Sequence, residues 1–95
     1  MRDYELVAII SPELDEEGVS EMIDRVSQSI NSRGGKVEEI KKWGRRKLAY
    51  PMRKFMEADY VLAHFQLMPQ SVKELEAEIS VSEDILRYLV VKVSD

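Results

Sequence analysis

Within residues 41–54, KKWGRRKLAYPMRK, seven basic side chains stand together with no carboxylate among them. The whole chain has 14 Lys and Arg against 18 Asp and Glu, so the other 81 residues hold 7 against 18 and a formal charge of −11. Charge that serves solubility alone can be spread over a surface, so this gathering points to a local electrostatic task. Arg45, Arg46, Lys47, Arg53 and Lys54 surround a Leu-Ala-Tyr-Pro stretch, and the chemistry such a cluster performs is the neutralisation of phosphate. In a regular strand Arg45 and Lys47 would share one face and Arg46 the other. A plainer explanation stays open, that Lys and Arg guard an edge strand against pairing with another chain, although it does not account for the missing carboxylates. Trp43, Tyr50, Met52, Phe55 and Met56 interleave or follow the charges and are the partner-binding candidates, with completion of the core as their alternative fate.

Catalytic chemistry has little to work with. The single histidine, His64, falls inside an extended segment with no nucleophile elbow, Walker loop or paired-histidine zinc motif to accompany it, and reads as a polar residue on one sheet face. Glu16 and Glu17 suit the first turn of a helix, where negative charge complements the helix dipole. Glu74 and Glu78, four apart on a helix, are expected on a solvated surface. No Asp-rich loop has the spacing of a carboxylate metal cage, and no metal or cofactor is expected. The absence of cysteine removes disulfides, thiolate metal sites and thiol nucleophiles together, which fits a reducing compartment and makes the cytoplasm the default.

The elements that must position these residues follow from periodicity. Residues 4–10 are apolar in both alternating phases, Tyr4, Leu6, Ala8 and Ile10 on one and Val7 and Ile9 on the other, as in a central strand with both faces at least partly covered. Pro12 breaks the strand and Asp15 caps a helix whose buried face is Val19, Met22, Ile23, Val26 and Ile30, ended by Gly34 and Gly35. A second extended segment covers 36–50, and the spacing of Val37 and Ile40 suggests a bulge or bend. After Pro51 and a short loop, residues 60–67 form a third strand, closed by Met68 and Pro69. Ser71 and Glu74 read as a capping box opening a helix with Val72, Leu75 and Ile79 buried, and 85–93 is the last strand. The order β-α-β-β-α-β is the split βαβ, or ferredoxin-like, α+β arrangement: a four-stranded antiparallel sheet with two helices on one face, here one domain over residues 1–95. The longest apolar run, residues 6–10, is far below the roughly 20 residues of a membrane span, and Asp3 and Glu5 argue against a signal peptide.

Within this fold class several functions can be weighed. A phosphate-hydrolysing, acylphosphatase-like domain needs an anion cradle after the first strand, but SPELDEE there carries four carboxylates that would repel the substrate. An RNA-recognition motif stacks bases on aromatics of the central strands, and ADYVLAHFQL lacks the glycine and basic start of its signature. The open sheet face instead offers Val7 and its alternates, which suit a protein partner if exposed, or else reflect deep burial. A metabolite-binding regulatory domain that dimerises through its sheets or helices is a further alternative, though such a module usually lies beside a catalytic domain.

RDYELVAIISPEL at the start, GRRKLAYPMRK in the middle, then YVLAHFQLMP and ILRYLVVKV together resemble the family of the sixth protein of the bacterial small ribosomal subunit. The resemblance runs in order over essentially the whole chain. Its most specific element is Gly44, Arg45, Arg46, Leu48, Ala49, Tyr50 and Pro51. It implies the split βαβ fold, no enzymatic activity and a place in the cytoplasmic ribosome. It further implies binding to the central domain of small-subunit ribosomal RNA as a heterodimer with ribosomal protein S-eighteen, each protein alone binding weakly. Gly44 then serves backbone geometry and Leu48 the interior. Arg2 and Tyr4 match the family's usual start and, with Arg87 on the neighbouring strand, join Arg45, Arg46, Lys47, Arg53 and Lys54 as RNA-contact candidates. Roles that depend on an extended tail in some relatives are not expected.

Overall fold

The computed structural model describes residues 1–93. Along the chain come β1 (Arg2–Ile10), α1 (Glu16–Ser32), β2 (Lys36–Met52), β3 (Phe55–Leu67), α2 (Pro69–Ser80) and β4 (Ile85–Lys92). The four strands form one sheet in the order β2-β3-β1-β4, every neighbouring pair antiparallel. This is the expected split βαβ architecture, with β2 and β4 as its edges.

Alternation decides which side of the sheet meets the helices. Tyr4, Leu6, Ala8 and Ile10 of β1 stand beside Phe65, Ala63, Val61 and Asp59 of β3, and the apolar members of both rows are buried with Val19, Met22, Ile23 and Ile30 of α1 and Leu75 and Ile79 of α2. Phe65, Ile10, Ile30, Leu67 and Leu75 are the largest fully buried side chains. Tyr4 stacks on Phe65 with ring centroids 5.7 Å apart, so its ring is part of this core. At 7% exposure it has little surface left for stacking on a base.

The caps of α1 are local chemistry. The Asp15 carboxylate accepts a hydrogen bond of 2.7 Å from the Gly18 amide. At the other end the Gly35 amide donates to Ile30 O and the Gly34 amide to Asn31 O, a Schellman pair that requires the left-handed backbone of Gly34, φ 80°. Gly35 is needed for a different reason: a Cβ there would lie 2.5 Å from the Gln66 carbonyl oxygen.

Helix α2 departs from its expected start. Pro69 takes the first helical position behind Met68, which makes no side-chain cap, so Ser71 lies inside the first turn and opens no capping box. Glu74 and Glu78 are exposed, as expected, but they also reach across to α1. Arg33, at the end of α1, donates from Nη2 to Glu78 Oε1 at 2.9 Å and places Nε 3.4 Å from Glu74, while Ser29 Oγ donates to the second oxygen of Glu78. The Arg33 hydrogen bond, then that of Ser29, holds the Glu78 carboxyl below its usual range, and Glu78 in turn raises Arg33. The four side chains clasp the two helices together.

Candidate nucleic-acid interface

The basic segment forms the outer strand of a long hairpin. β2 runs on through Pro51, which an edge strand tolerates, to Met52, and β3 begins at Phe55, five residues before the expected position. Met52 faces Phe55 across a two-residue turn, with Arg53 at φ 48° and Lys54 at φ 74°. Both central positions of such a turn require left-handed backbone, so two long cations occupy sites where Asn and Gly would be cheaper.

The ladder between β2 and β3 slips three times, at Val37/Glu39, Lys42/Gly44 and Lys47/Met52. The first slip is the irregularity foreseen between Val37 and Ile40. The second inserts an extra residue at Gly44, whose φ of 79° marks a bulge built on glycine. Lys42 lies on the helix side, where Nζ donates to Ser20 Oγ at 3.0 Å. Arg45 also points to that side, donating to Pro12 O at 3.2 Å and to Asp59 Oδ1 at 3.3 Å. The bulge puts Trp43 and Arg46 together on the open face, the guanidinium carbon 5.6 Å from the indole centroid. Leu48, by contrast, is buried.

Charges missing along the sequence are partly restored in space. β3 brings Asp59 and, at 4.0 Å, Glu57 to Arg45, and Glu39 lies 3.8 Å from Lys41. The absence of carboxylates within the segment is therefore weaker support for phosphate binding than it looked. Arg53 is engaged by the Glu83 carbonyl at 2.7 Å. Arg46, Lys47 and Lys54 are exposed and make no ion pair among the described residues. Arg87 of β4 donates to the Tyr50 hydroxyl, so hairpin and far edge meet at one end of the sheet. Arg2 is not brought to them. It pairs with Leu67, eight residues along β1 from Ile10, or roughly 26 Å at about 3.3 Å per residue.

Of the apolar candidates, Trp43, Tyr50 and Met56 are exposed at 42%, 53% and 64%, while Met52 and Phe55 are half-buried. The open face adds to Val7, which the sequence singled out, neighbours on β3 and β4 that it did not. Leu62, Val7 and Leu89 line up across β3, β1 and β4, beside the row of Tyr60, Ile9 and Arg87. Period-two alternation, followed strand by strand, was the signal that could have grouped them. Leu89 and Val91 are well exposed, so this apolar strip is a surface and the deep-burial alternative does not hold at β4.

Hydrolytic chemistry finds no foothold at the first loop, where the carboxylate of Asp15 itself occupies the start of α1. His64 faces Asp3 at 3.7 Å. No group of three or more His, Asp or Glu that could hold a metal occurs among the described residues.

A split βαβ sheet carrying an exposed basic hairpin and an apolar open face defines a binding module, and comparison with known proteins identifies its kind. The model of the ribosomal protein S6 family matches residues 3–92. Small ribosomal subunit protein bS6 of Heliobacterium modesticaldum is 41% identical over 97% of this chain and 96% of its own length, and that of Caldanaerobacter subterraneus is 40% identical over the full length of both. The crystal structure of 30S ribosomal protein S6 from Thermotoga maritima superposes with a TM-score of 0.91 at 34% identity, covering 97% of this chain and 87% of that one. The C-terminal domain of the MgtC protein from Mycobacterium tuberculosis, at 14% identity and TM-score 0.68, shares the fold alone. The chain belongs to the ribosomal protein S6 family, structural components of the small ribosomal subunit in the cytoplasm rather than enzymes.

Proposed function

We propose that the chain binds the central domain of small-subunit ribosomal RNA together with ribosomal protein S-eighteen, the hairpin meeting RNA and the apolar surfaces meeting the protein. Family membership is the observation that carries this reading. The exposed Arg46, Lys47 and Lys54, free of ion pairs among the described residues and grouped on one hairpin, support the assignment of RNA to that element. Arg87 joins them through Tyr50, whereas Arg45 acts as a strut to β3 and the Pro12 loop. Guarding of an edge strand has its own support, since β2 is an outer strand, bulged and rich in Lys and Arg.

A salt titration of binding to a central-domain fragment, with and without ribosomal protein S-eighteen, separates the two. RNA binding predicts tight, salt-sensitive association with the partner present. Each lost phosphate contact lowers the slope of log affinity against log salt by about 0.7 to 0.9, so Arg46→Glu with Lys47→Glu should reduce it by roughly 1.5 and leave the melting temperature nearly unchanged. An unchanged slope in the double variant would leave the hairpin with edge protection alone.

A further inference from the structure

The indole of Trp43, an amphipathic ring of large area, stands 42% exposed on the open face of an edge strand, beside a cation. In an unbroken strand positions 43 and 46 fall on opposite faces, because side chains alternate with period two. The extra residue at Gly44 restores them to one face, and a Cβ at Gly44 would meet nothing within 4 Å, so it is the backbone turn at φ 79° that calls for glycine there. The bulge thus builds a unit of one aromatic ring and one guanidinium 5.6 Å from its centre, within the range of about 6 Å for a cation–π contact.

We propose that Trp43 is a stacking platform for an unpaired RNA base, with Arg46 covering part of the ring and meeting the adjoining phosphate. The inference rests on the RNA reading of the hairpin. Single-stranded nucleic acid is held by cations along the backbone and by flat rings under the bases, a combination this hairpin presents on one face. The charges favour RNA over a protein partner at this spot. Arg46 lies beside the ring and makes no ion pair among the described residues, while the carboxylates of Glu57 and Asp59 are on the other side of the strand with Arg45 and Lys47. The well-exposed residues of the apolar strip that suits a protein, Leu89 and Val91, lie on β4 at the opposite edge of the sheet from Trp43, with Leu62 and Val7 between.

The test uses the central-domain fragment and ribosomal protein S-eighteen, with three readouts for each variant: RNA affinity of the pair across a salt series, affinity between the two proteins without RNA, and melting temperature. Trp43→Leu should weaken RNA binding about 5- to 150-fold, the range for one lost base stack, with the salt slope and the protein–protein affinity unchanged. Trp43→Phe, which keeps a stacking ring, should retain most of the affinity. Wild-type RNA affinity in Trp43→Leu overturns the proposal, as does a loss that appears equally in the protein–protein measurement, which would make Trp43 a partner contact. A wild-type pair that does not bind the fragment at any salt concentration would overturn the RNA reading itself, and the stacking with it.

Discussion

Lys54 holds a left-handed backbone, φ 74°, in a turn that glycine would fill without strain. A β-carbon in that region costs about 1–2 kcal/mol. Glycine removes this cost but loosens the unfolded chain by about 0.5–1 kcal/mol, so Lys54→Gly should gain about 0.5–1 kcal/mol. For a domain of this size that is a rise in melting temperature of roughly 2–6 °C. If the lysine is kept for phosphate, the same variant should bind RNA more weakly, with a salt slope smaller by about 0.7 to 0.9. Greater stability with weaker binding would mark the turn as a place where function outweighs local comfort. A melting temperature at or below wild type would show that the turn is not strained, and an unaltered slope would remove Lys54 from the RNA site. Arg53 differs, since its guanidinium is already bound to the Glu83 carbonyl and so ties the turn to the loop ahead of β4.

Between elements, the clasp of Arg33, Ser29, Glu74 and Glu78 is the polar link from α1 to α2, and it gives stability a pH dependence of defined sign. The folded state lowers the Glu78 pKa from its ordinary 4.5, so the stabilising contribution is fully present above that value and is lost as pH falls through the depressed folded value. Wild type should therefore melt higher than Glu78→Gln at pH 7, and the gap should close in acid. A gap constant with pH would mean that the carboxylate charge contributes nothing. No periodicity in the sequence announces this clasp, because its members lie 45 residues apart and only the docking of two helices brings them together. Elements with strong local signals were legible: the six-element order, the α1 cap at Asp15, the break at Gly34 and the irregularity near Val37. The capping box at Ser71 was not real, since Pro69 fixes the first turn by its own ring and leaves no work for a serine two residues later. The hairpin's length was hidden by Pro51, and the partners of Arg45 by their position on β3. Tyr4 shows the same limit, because a resemblance can mark a residue without saying which side of the sheet it faces.

As a whole the molecule is acidic, with a formal charge of −4, and approach to RNA depends on keeping its charges apart. The open face has such a division. Arg46 and Arg87 lie toward the hairpin end, the carboxylates Asp3, Glu5 and Glu39 toward the other, where Lys36 and Lys41 partly offset them, and Leu62, Val7 and Leu89 run between. Uncompensated positive charge is thus found at the hairpin end of this face, while the apolar strip beside it suits a protein that would share the RNA. Leu89, 60% exposed at the β4 edge, tests this arrangement without touching the core. Burying a leucine at an interface contributes about 1.5–3 kcal/mol, so Leu89→Asp should weaken association with ribosomal protein S-eighteen by roughly 10- to 150-fold. Titration calorimetry of the two proteins without RNA reads this directly, and the melting temperature of the isolated chain should move by no more than about 4 °C, since exposed sites rarely shift stability by more than about 0.5 kcal/mol. RNA binding by the pair should fall in parallel, because joint recognition fails when the pair does not form. Wild-type association in Leu89→Asp would move the protein partner off the sheet face and onto the hairpin's own apolar residues, Met52, Phe55 and Met56.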